Sequence, residues 1–224
     1  MQEREKVEKA LDKAEKTLQD YHVAYMGVYG SQNYNLSNEN SDVDLRAIVI
    51  PDFETMAKRQ KISKKLQYEY GDIDLKDLWT YYQSLSKGNP SFIEPLRSKF
   101  YRGDPYLREI FAKARVNRWA LVGMGFQKWE KLNKGEDIGK SLYHVLRVLD
   151  MLDQAEPPSY IPYQDESAQR MRNIKTQDVL TDNDNIFERL IEHRKRVQNN
   201  YRYVPQDVSD KVVEYIKQKG VKVW

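Results

Sequence analysis

The sequence contains no cysteine. This absence excludes disulfide bonds, zinc sites built on thiolates and a cysteine nucleophile. It is compatible with the reducing cytoplasm, where we expect the protein to act. The sequence also lacks an apolar run near the roughly 20 residues that cross a bilayer, and the charged segment that starts the chain at Met1–Lys6 has no apolar segment behind it. We therefore expect neither a membrane partner nor a signal peptide.

A strong charge of either sign is also missing. The formal net charge of the 224 residues is +3, and this value alone does not indicate a nucleic-acid-binding protein, in which basic residues are usually clustered. Hydrophobic residues make up 40% and charged residues 32% of the chain, which is typical of a globular protein with enough chain for a core. The 16 tyrosines are able to stack on bases, but packing is the commoner use of this side chain.

The first hundred residues combine strand and helix patterns. Apolar residues at helical spacing indicate helices, and short runs with β-branched and aromatic residues or apolar alternation indicate strands. The predicted elements are, in order, a helix over residues 3–20, strands over Val23–Tyr29, Val43–Ile50 and about Leu66–Leu75, a helix over Leu78–Ser86 capped by Asp77, and a turn at Lys87–Pro90.

The second half of the chain is predicted to be helical from about Pro105 onward, because its apolar residues recur at helical spacing. The predicted helices cover residues 105–116, 117–132, 139–154, 184–202 and 208–219, with a proline-rich connection at 156–162. We therefore predict an α+β fold, in which a small mixed β-sheet domain over residues 1–100 is followed by a helical domain over residues 101–224.

A phosphate-binding turn is predicted at Gly30-Ser31, directly after the strand predicted at Val23–Tyr29. A strand that ends in this way offers backbone N–H groups and a hydroxyl to an anion, and a helix that begins there adds its dipole. Glycine allows the backbone to approach a phosphate without an intervening Cβ atom.

Two carboxylates follow this turn at Asp42 and Asp44. Side chains two residues apart on a strand project to the same side, where like charges repel each other in the absence of a cation. Mg²⁺ prefers oxygen ligands and binds to a few carboxylates together with water and substrate phosphates. A Gly-Ser turn or an Asp-x-Asp pair alone is usually structural. Their combination predicts a site for a metal ion and a phosphate.

These segments resemble a known superfamily. Gly30-Ser31, a spacer of about ten residues and the segment Ser41–Leu45 are similar to the motif of the DNA polymerase β-type nucleotidyltransferases. Later segments resemble the branch that contains kanamycin nucleotidyltransferase, and most of all its predicted bacterial and phage members, some of them linked to RNA ligases. These later segments are Arg46, Lys87–Leu96, Lys140–Arg147 and Arg172–Lys175.

The resemblance implies a small α/β palm, a nucleoside triphosphate as donor, and a divalent metal ion, Mg²⁺ or Mn²⁺, held by three carboxylates. Asp42 and Asp44 take the first two positions. The third belongs to a following strand, within an apolar-Asp-apolar triplet, and Ile73-Asp74-Leu75 fits this pattern best. Asp72 would lie on the same strand face as Asp74 and stays open as an alternative.

The resemblance also implies a nucleotide-binding set, which comprises Gly30, Ser31, Arg46, Lys140, His144 and Arg147. The last three recur at i, i+4 and i+7 and therefore share one helix face. A solvated basic face is the alternative for them, and a structural role is the alternative for Arg46. Arg172 and Lys175 are weaker candidates. Asn89 is predicted to fix a turn, and Glu94 to cap or pair locally.

The implied reaction transfers a nucleoside monophosphate from the triphosphate to an acceptor hydroxyl and releases pyrophosphate. Basic segments at residues 113–115 and 193–196 favour RNA or another nucleotide-bearing acceptor. Two alternatives share the fold: a transferase of toxin–antitoxin type that adds AMP to a protein, and a non-catalytic nucleotide-binding module.

Overall fold

The computed structural model describes residues 2–176, 185–197 and 204–220 of the chain. The strands in these ranges are β1 Val23–Tyr29, β2 Asp44–Val49, β3 Ser63–Tyr68, β4 Gly71–Asp77 and β5 Tyr101–Gly103. The helices are α1 Gln2–Thr17, α2 Phe53–Ala57, α3 Leu78–Leu85, α4 Pro90–Arg97, α5 Pro105–Phe111, α6 Arg118–Asn133, α7 Ile138–Leu152, α8 Asp165–Lys175, α9 Ile186–Arg196 and α10 Gln206–Gly220. The predicted α+β class is confirmed. None of these helices has the length and apolar character needed to cross a membrane.

The five strands form one mixed sheet in the order β3-β4-β2-β1-β5. Strand β4 runs parallel to β2, and the other neighbouring pairs are antiparallel. The parallel register places Arg46 of β2 beside Asp74 of β4. Because side chains alternate along a strand, Leu45 on β2 faces one side of the sheet, and Asp44 and Arg46 face the other.

Helix α1 covers the first side of the sheet. Its apolar face packs against strand residues in one buried cluster, which includes Leu11 of the helix, Leu18 directly after it, and Met26, Leu45 and Ile73 of the sheet. Full burial of each such side chain stabilises the fold by roughly 1.5–3 kcal/mol. Because these residues are buried under α1, the residues that alternate with them on β2 and β4 project from the opposite side of the sheet.

The other side of the sheet packs against α3, α4 and α5 in a second apolar cluster, which continues into the later helices. Its buried members include Tyr25 and Ile48 of the sheet, Phe111 of α5, Val148 of α7 and Val208 of α10. The cluster therefore crosses the boundary predicted near residue 100, and β5 joins the sheet beyond that boundary. The division into two domains stays a prediction.

Helix α4 lies directly against β1. A Cβ atom added to Gly27 would come within 2.3 Å of the Pro95 carbonyl oxygen, so only glycine permits this contact. The Tyr25 hydroxyl donates a hydrogen bond to the same carbonyl at 3.0 Å, and the Tyr81 hydroxyl donates to the Phe92 carbonyl at 2.5 Å. Strand and helix are thus joined without a layer of side chains between them.

Some elements differ from the predictions. The single strand predicted over Leu66–Leu75 is wrong, because β3 and β4 form an antiparallel hairpin that pairs Tyr68 with Gly71. The turn predicted at Lys87–Pro90 runs into α4, since Asn89 caps that helix and Pro90 occupies its first turn, where proline is tolerated. Helices α2 and α8 were not predicted. The helix predicted over residues 184–202 has both ends outside the described residues, namely residue 184 and residues 198–202.

Candidate active site

A cleft of about 480 Å³ separates the sheet and α4 from the helices α6, α7 and α8. On the sheet side it is lined by Gly30, Ser31, Asp42, Asp44 and Glu94. On the helical side it is lined by Lys128, Lys140, His144, Arg147 and Lys175. The structure therefore brings the predicted turn, the Asp-x-Asp pair and the basic face of α7 to one cleft. Two other predicted residues, Arg46 and Asp74, are not among the lining residues.

The turn after β1 begins at Gly30, whose φ of 92° lies in the left-handed region that favours glycine. A Cβ atom at this position would meet nothing within 4 Å, so the backbone borders open space. Residues 31–35 form a turn that does not become a helix. The expectation that a helix dipole acts at this turn is therefore wrong, and anion binding by the turn stays a prediction.

Glu94 of α4 ties this turn to the helix. Its Oε1 accepts a hydrogen bond from the Gly30 N–H at 2.7 Å and another from the Asn33 amide at 3.1 Å. The side chain is buried, and burial raises the pKa of the Glu94 carboxyl, while the charge of Arg147 acts to lower it. The predicted local role of Glu94 is wrong, because its partners lie more than 60 residues away. The Gly30 and Asn33 amides are both engaged, the latter by the Gly30 carbonyl at 3.0 Å, and Ser31 lines the cleft beside them.

Asp42 and Asp44 reach the cleft from different backbone settings. Asp42 precedes β2 and is exposed, whereas Asp44 is the first residue of the strand and is half-buried. Burial raises the pKa of the Asp44 carboxyl, a hydrogen bond from the Asp72 N–H lowers it, and the charges of Asp72 and Asp42 raise it further. This mutual repulsion makes the pair a favourable place for a cation.

The loop that carries Asp42 is held from two sides. From α1, the Lys6 ammonium donates to the carbonyls of Glu39 and Ser41 at 2.7 and 2.8 Å. From the β3–β4 hairpin, the Tyr68 hydroxyl donates to the Val43 carbonyl at 2.6 Å. The position of Asp42 therefore depends on contacts with two separate elements.

Gly71 brings the hairpin close to both aspartates. A Cβ atom at Gly71 would lie 3.2 Å from the Asp42 Cβ, 3.2 Å from the Asp44 Oδ1 and 3.1 Å from the Val43 carbonyl oxygen. Its φ of 152° also disfavours other residues. A side chain at this position would push directly on the carboxylate pair.

The predicted third carboxylate, Asp74, is engaged by cations. Its Oδ2 accepts hydrogen bonds from Arg46 Nε and Nη2, both at 2.8 Å, and Lys76 lies 3.3 Å from Oδ1. The Arg46 guanidinium is buried, stacks over the Phe92 ring at 4.1 Å and donates to the Ser91 carbonyl. Arg46 and Asp74 thus connect the sheet to α4.

Asp72 is the carboxylate of β4 that lies beside Asp44, since the Asp72 N–H donates to the Asp44 Oδ1 at 3.3 Å. Its own carboxylate pairs with the exposed Lys65 at 2.7 Å. Among the described residues, no three His, Cys, Asp or Glu side chains are gathered closely enough to hold a metal ion. The three-carboxylate centre with Asp74 is therefore not assembled in this structure and stays a prediction.

The helical wall of the cleft is strongly cationic. Lys140, His144 and Arg147 share the predicted face of α7, and Lys128 of α6 and Lys175 of α8 lie around them. Burial and these four neighbouring cations lower the pKa of His144 to about 2, so the imidazole is neutral at physiological pH. Burial and neighbouring positive charges also lower the pKa of Lys128 and Lys175. An anion in the cleft would relieve this repulsion.

Arg147 lies at the base of this wall and is only 8% exposed, so a solvated face is excluded for it. Its guanidinium lies 3.2 Å from the centroid of the Tyr34 ring, and Nη1 donates to the Tyr143 hydroxyl at 3.1 Å. Its Nε has no hydrogen-bond partner among the described residues. Buried polar atoms are usually satisfied, so this atom is available to a ligand.

Several of these features were not predicted from the sequence. Lys128 follows Met124 by four residues on α6, and both line the cleft, but nothing in that helix marks this face as functional. Gly71 carried no recognisable signal either. Arg172 donates to the Asn35 carbonyl at 3.1 Å, and Asn89 accepts a hydrogen bond from the Ser91 N–H as the cap of α4; both contacts are structural.

Comparison with known proteins agrees with the superfamily that the motifs resemble. A search of curated proteins found no match to the chain. A family described as the RNA repair pathway DNA polymerase beta family, RlaP, matches residues 3–158. This range contains the Gly30-Ser31 turn, the carboxylates of β2 and β4, and all of α7. The closer relation to the kanamycin nucleotidyltransferase branch stays a prediction. Because the match covers more than two thirds of the sequence, the chain belongs to the RlaP family of polymerase β-type proteins.

Proposed function

We propose that the protein is a metal-dependent nucleotidyltransferase that transfers a nucleoside monophosphate from a triphosphate to a hydroxyl of an RNA acceptor. One observation carries the proposal. The Gly30-Ser31 turn and two carboxylates line one wall of a cleft whose other wall holds Lys128, Lys140, Arg147 and Lys175. Carboxylates attract a metal ion, and the cations attract the triphosphate that the metal ion accompanies.

The residues of the cleft fit a magnesium ion. Mg²⁺ usually takes one or two carboxylates and completes its coordination with waters and substrate phosphates, and Asp42 and Asp44 offer such a pair. The third carboxylate in this proposal comes from β4. Asp74 must give up its bonds to Arg46 to take that position, whereas Asp72 must give up only the exposed Lys65. When bound, the metal ion stabilises the charge on the reacting phosphate and makes the attacking hydroxyl more acidic.

The chain positions the donor through its phosphates. The Ser31 hydroxyl and the amides after Gly30 bind the β- and γ-phosphates from the sheet side, while Lys140 and Arg147 approach from the helical side. His144 is neutral and donates or accepts a hydrogen bond without adding charge. Fixed charges in a closed cleft stabilise a transition state more strongly than they would in water.

The reaction then follows from this arrangement. The acceptor oxygen forms a bond to the α-phosphorus, the bond from this phosphorus to the bridging oxygen of the β-phosphate breaks, and pyrophosphate leaves with that oxygen. The proton of the attacking hydroxyl passes to a carboxylate of β4, Asp74 or Asp72. Positioning and charge stabilisation supply most of the acceleration in such transfers.

The choice of RNA as acceptor is supported by the family, which is described as acting in RNA repair. The cleft also offers more cations than a triphosphate alone requires, and phosphate contacts dominate the affinity of proteins for nucleic acids. An aminoglycoside acceptor would need an acidic pocket for its amines. Lys128 and Lys175 make the helical wall of the cleft cationic and would repel those amines.

The test is a labelling experiment. The protein is incubated with Mg²⁺ and each α-labelled nucleoside triphosphate, together with RNA, protein or small-molecule fractions of a cell extract. We expect label in the RNA fraction and stoichiometric pyrophosphate release, both lost in Asp44→Asn and kept in the matched variant Asp20→Asn, at an exposed position outside the cleft. Label in the protein fraction would identify the AMP-adding alternative. Triphosphate binding without turnover, unchanged by Asp44→Asn, would identify the binding module.

A further inference from the structure

The face of α7 that lines the cleft changes character along its length. Lys140, His144 and Arg147 occupy its first part, and Val148 and Met151 its last part. With a rise of about 1.5 Å per residue, the eleven steps from Lys140 to Met151 span roughly 16 Å. One end of the cleft is therefore suited to phosphates and the other to an apolar, planar group.

The apolar end is formed by three different helices. Val148 and Met151 belong to α7, Met124 to α6, and Pro90 to the first turn of α4. Val148 and Met151 are nearly completely buried, whereas Met124 is half-exposed. A surface of this composition, at the end of a cleft that is otherwise polar, is typical of pockets for the apolar part of a ligand.

The cleft also contains a hydroxyl without a partner among the described residues. Ser159, in the proline-rich connection after α7, lines the cleft and is 2% exposed. Its Oγ atom makes no hydrogen bond within the described residues, although its backbone carbonyl accepts one from the Tyr34 hydroxyl at 3.3 Å. A buried hydroxyl left without a hydrogen bond is unfavourable for the folded protein. The hydroxyl therefore adds no hydrogen bond to the described fold, which favours a role toward a ligand.

We infer that the end of the cleft formed by Met124, Val148, Met151 and Ser159 binds the nucleobase of the donor nucleotide. The apolar side chains contact the face of the base, and the Ser159 hydroxyl forms a hydrogen bond with its polar edge. The phosphates of the same molecule then extend along α7 toward Arg147 and Lys140. This inference rests on the proposed function, since it assigns the parts of the donor to the parts of the cleft.

A base-binding site predicts different affinities for two ligands that share the phosphate chain, one with a base and one without. Equilibrium binding is measured by calorimetry in the presence of Mg²⁺ and without acceptor, for inorganic tripolyphosphate and for each of the four nucleoside triphosphates. We expect at least one nucleoside triphosphate to bind about tenfold more tightly than tripolyphosphate, because only the nucleotide fills the apolar end.

Two variants test the assigned residues. Ser159→Ala is expected to weaken binding of the preferred nucleotide by about three- to tenfold, to leave tripolyphosphate binding unchanged, and not to lower the melting temperature, since no hydrogen bond is lost. Met124→Gln, at a half-exposed position, is expected to have the same selective effect. Ser84→Ala, in α3 outside the cleft, is the matched control. Lys140→Ala should weaken both ligands.

Each other outcome has a definite meaning. Nucleotides that bind no more tightly than tripolyphosphate, or a Ser159→Ala variant that leaves nucleotide binding unchanged or weakens both ligands equally, would overturn the base site while leaving the proposed function intact. A protein that binds neither tripolyphosphate nor any nucleotide would overturn both. The last outcome concerns displacement of the bound nucleoside triphosphate. If nucleosides without a triphosphate displace it and tripolyphosphate does not, this end of the cleft belongs to the acceptor and the inference is refuted.

Discussion

The neutral state of His144 allows a quantitative test of the cationic wall. Partial burial lowers the pKa of this imidazole most, and the charges of Arg147, Lys128, Lys140 and Lys175 lower it further, to about 2. In the unfolded chain a histidine has a pKa of about 6.5. On acidification the unfolded state therefore binds a proton at this residue and the folded state does not, so the folded protein loses stability as the pH falls from about 6.5.

The size of this effect follows from the two pKa values. Between about pH 7 and about pH 5, proton uptake by the unfolded state lowers the free energy of unfolding by about 2 kcal/mol at this one residue. A His144→Gln variant has no such group. It should therefore be less sensitive to acid than the wild type by the same amount, whatever other residues titrate in both proteins.

The measurement is urea unfolding of both proteins at the two pH values, followed by far-UV circular dichroism. His22→Gln, at an exposed histidine, is the matched control and should keep the pH dependence of the wild type. Parallel pH dependence in the wild type and His144→Gln would show that His144 protonates in the folded protein. The positive potential of the wall would then be much weaker than its composition implies.

Four further substitutions give distinct outcomes. Gly71→Ala should reduce turnover at least tenfold and lower the free energy of unfolding by about 1–3 kcal/mol, because the new Cβ presses on the carboxylate pair; unchanged kinetics would contradict this contact. Asp74→Asn should lower the free energy of unfolding by about 3 kcal/mol, since it leaves the buried Arg46 without its carboxylate, whereas Asp72→Asn should change it little; urea titration distinguishes them. Asp44→Asn should raise the melting temperature of the metal-free protein, because it removes a half-buried like charge, and an unaltered or lower value would show that no repulsion is stored there.

The sequence was sufficient for the parts of the fold that depend on local patterns. The alternation of Leu45, Ala47 and Val49 predicted β2 and its two faces, since burial of one face fixes the register of a strand. The β3–β4 hairpin was missed because the two residues between its strands, Glu69 and Tyr70, are not among those that usually form tight hairpin turns. Helix α4 was missed because Asn89-Pro90 was interpreted as the end of a turn, although the same pair is a good helix start.

The candidate site likewise contains residues that local patterns identify and residues that they do not. Gly30, Ser31, Asp42 and Asp44 lie close together in the sequence, so a motif identified them. Glu94 meets Gly30 across 64 residues, and no local pattern specifies such a contact.

The third carboxylate was ambiguous for the same reason. Only the parallel register of β2 and β4 decides that Asp74 lies beside Arg46. The sequence does not contain that register in any local form, so the triplet around Asp74 favoured this residue while Asp72 stayed open as an alternative.

The close contact between Gly27 and Pro95 has a mechanical consequence. Because the strand and α4 touch backbone to backbone, with the helix also held by hydroxyls from Tyr25 and Tyr81, that wall has almost no freedom to slide. Room for an acceptor must therefore be made by displacement of the α7–α8 side, which is joined to the turn after β1 by a hydrogen bond from the Tyr163 N–H to the Tyr34 carbonyl at 2.9 Å. Slow amide exchange in α4 combined with faster exchange in α8 would show that the cleft opens by movement of its helical wall alone.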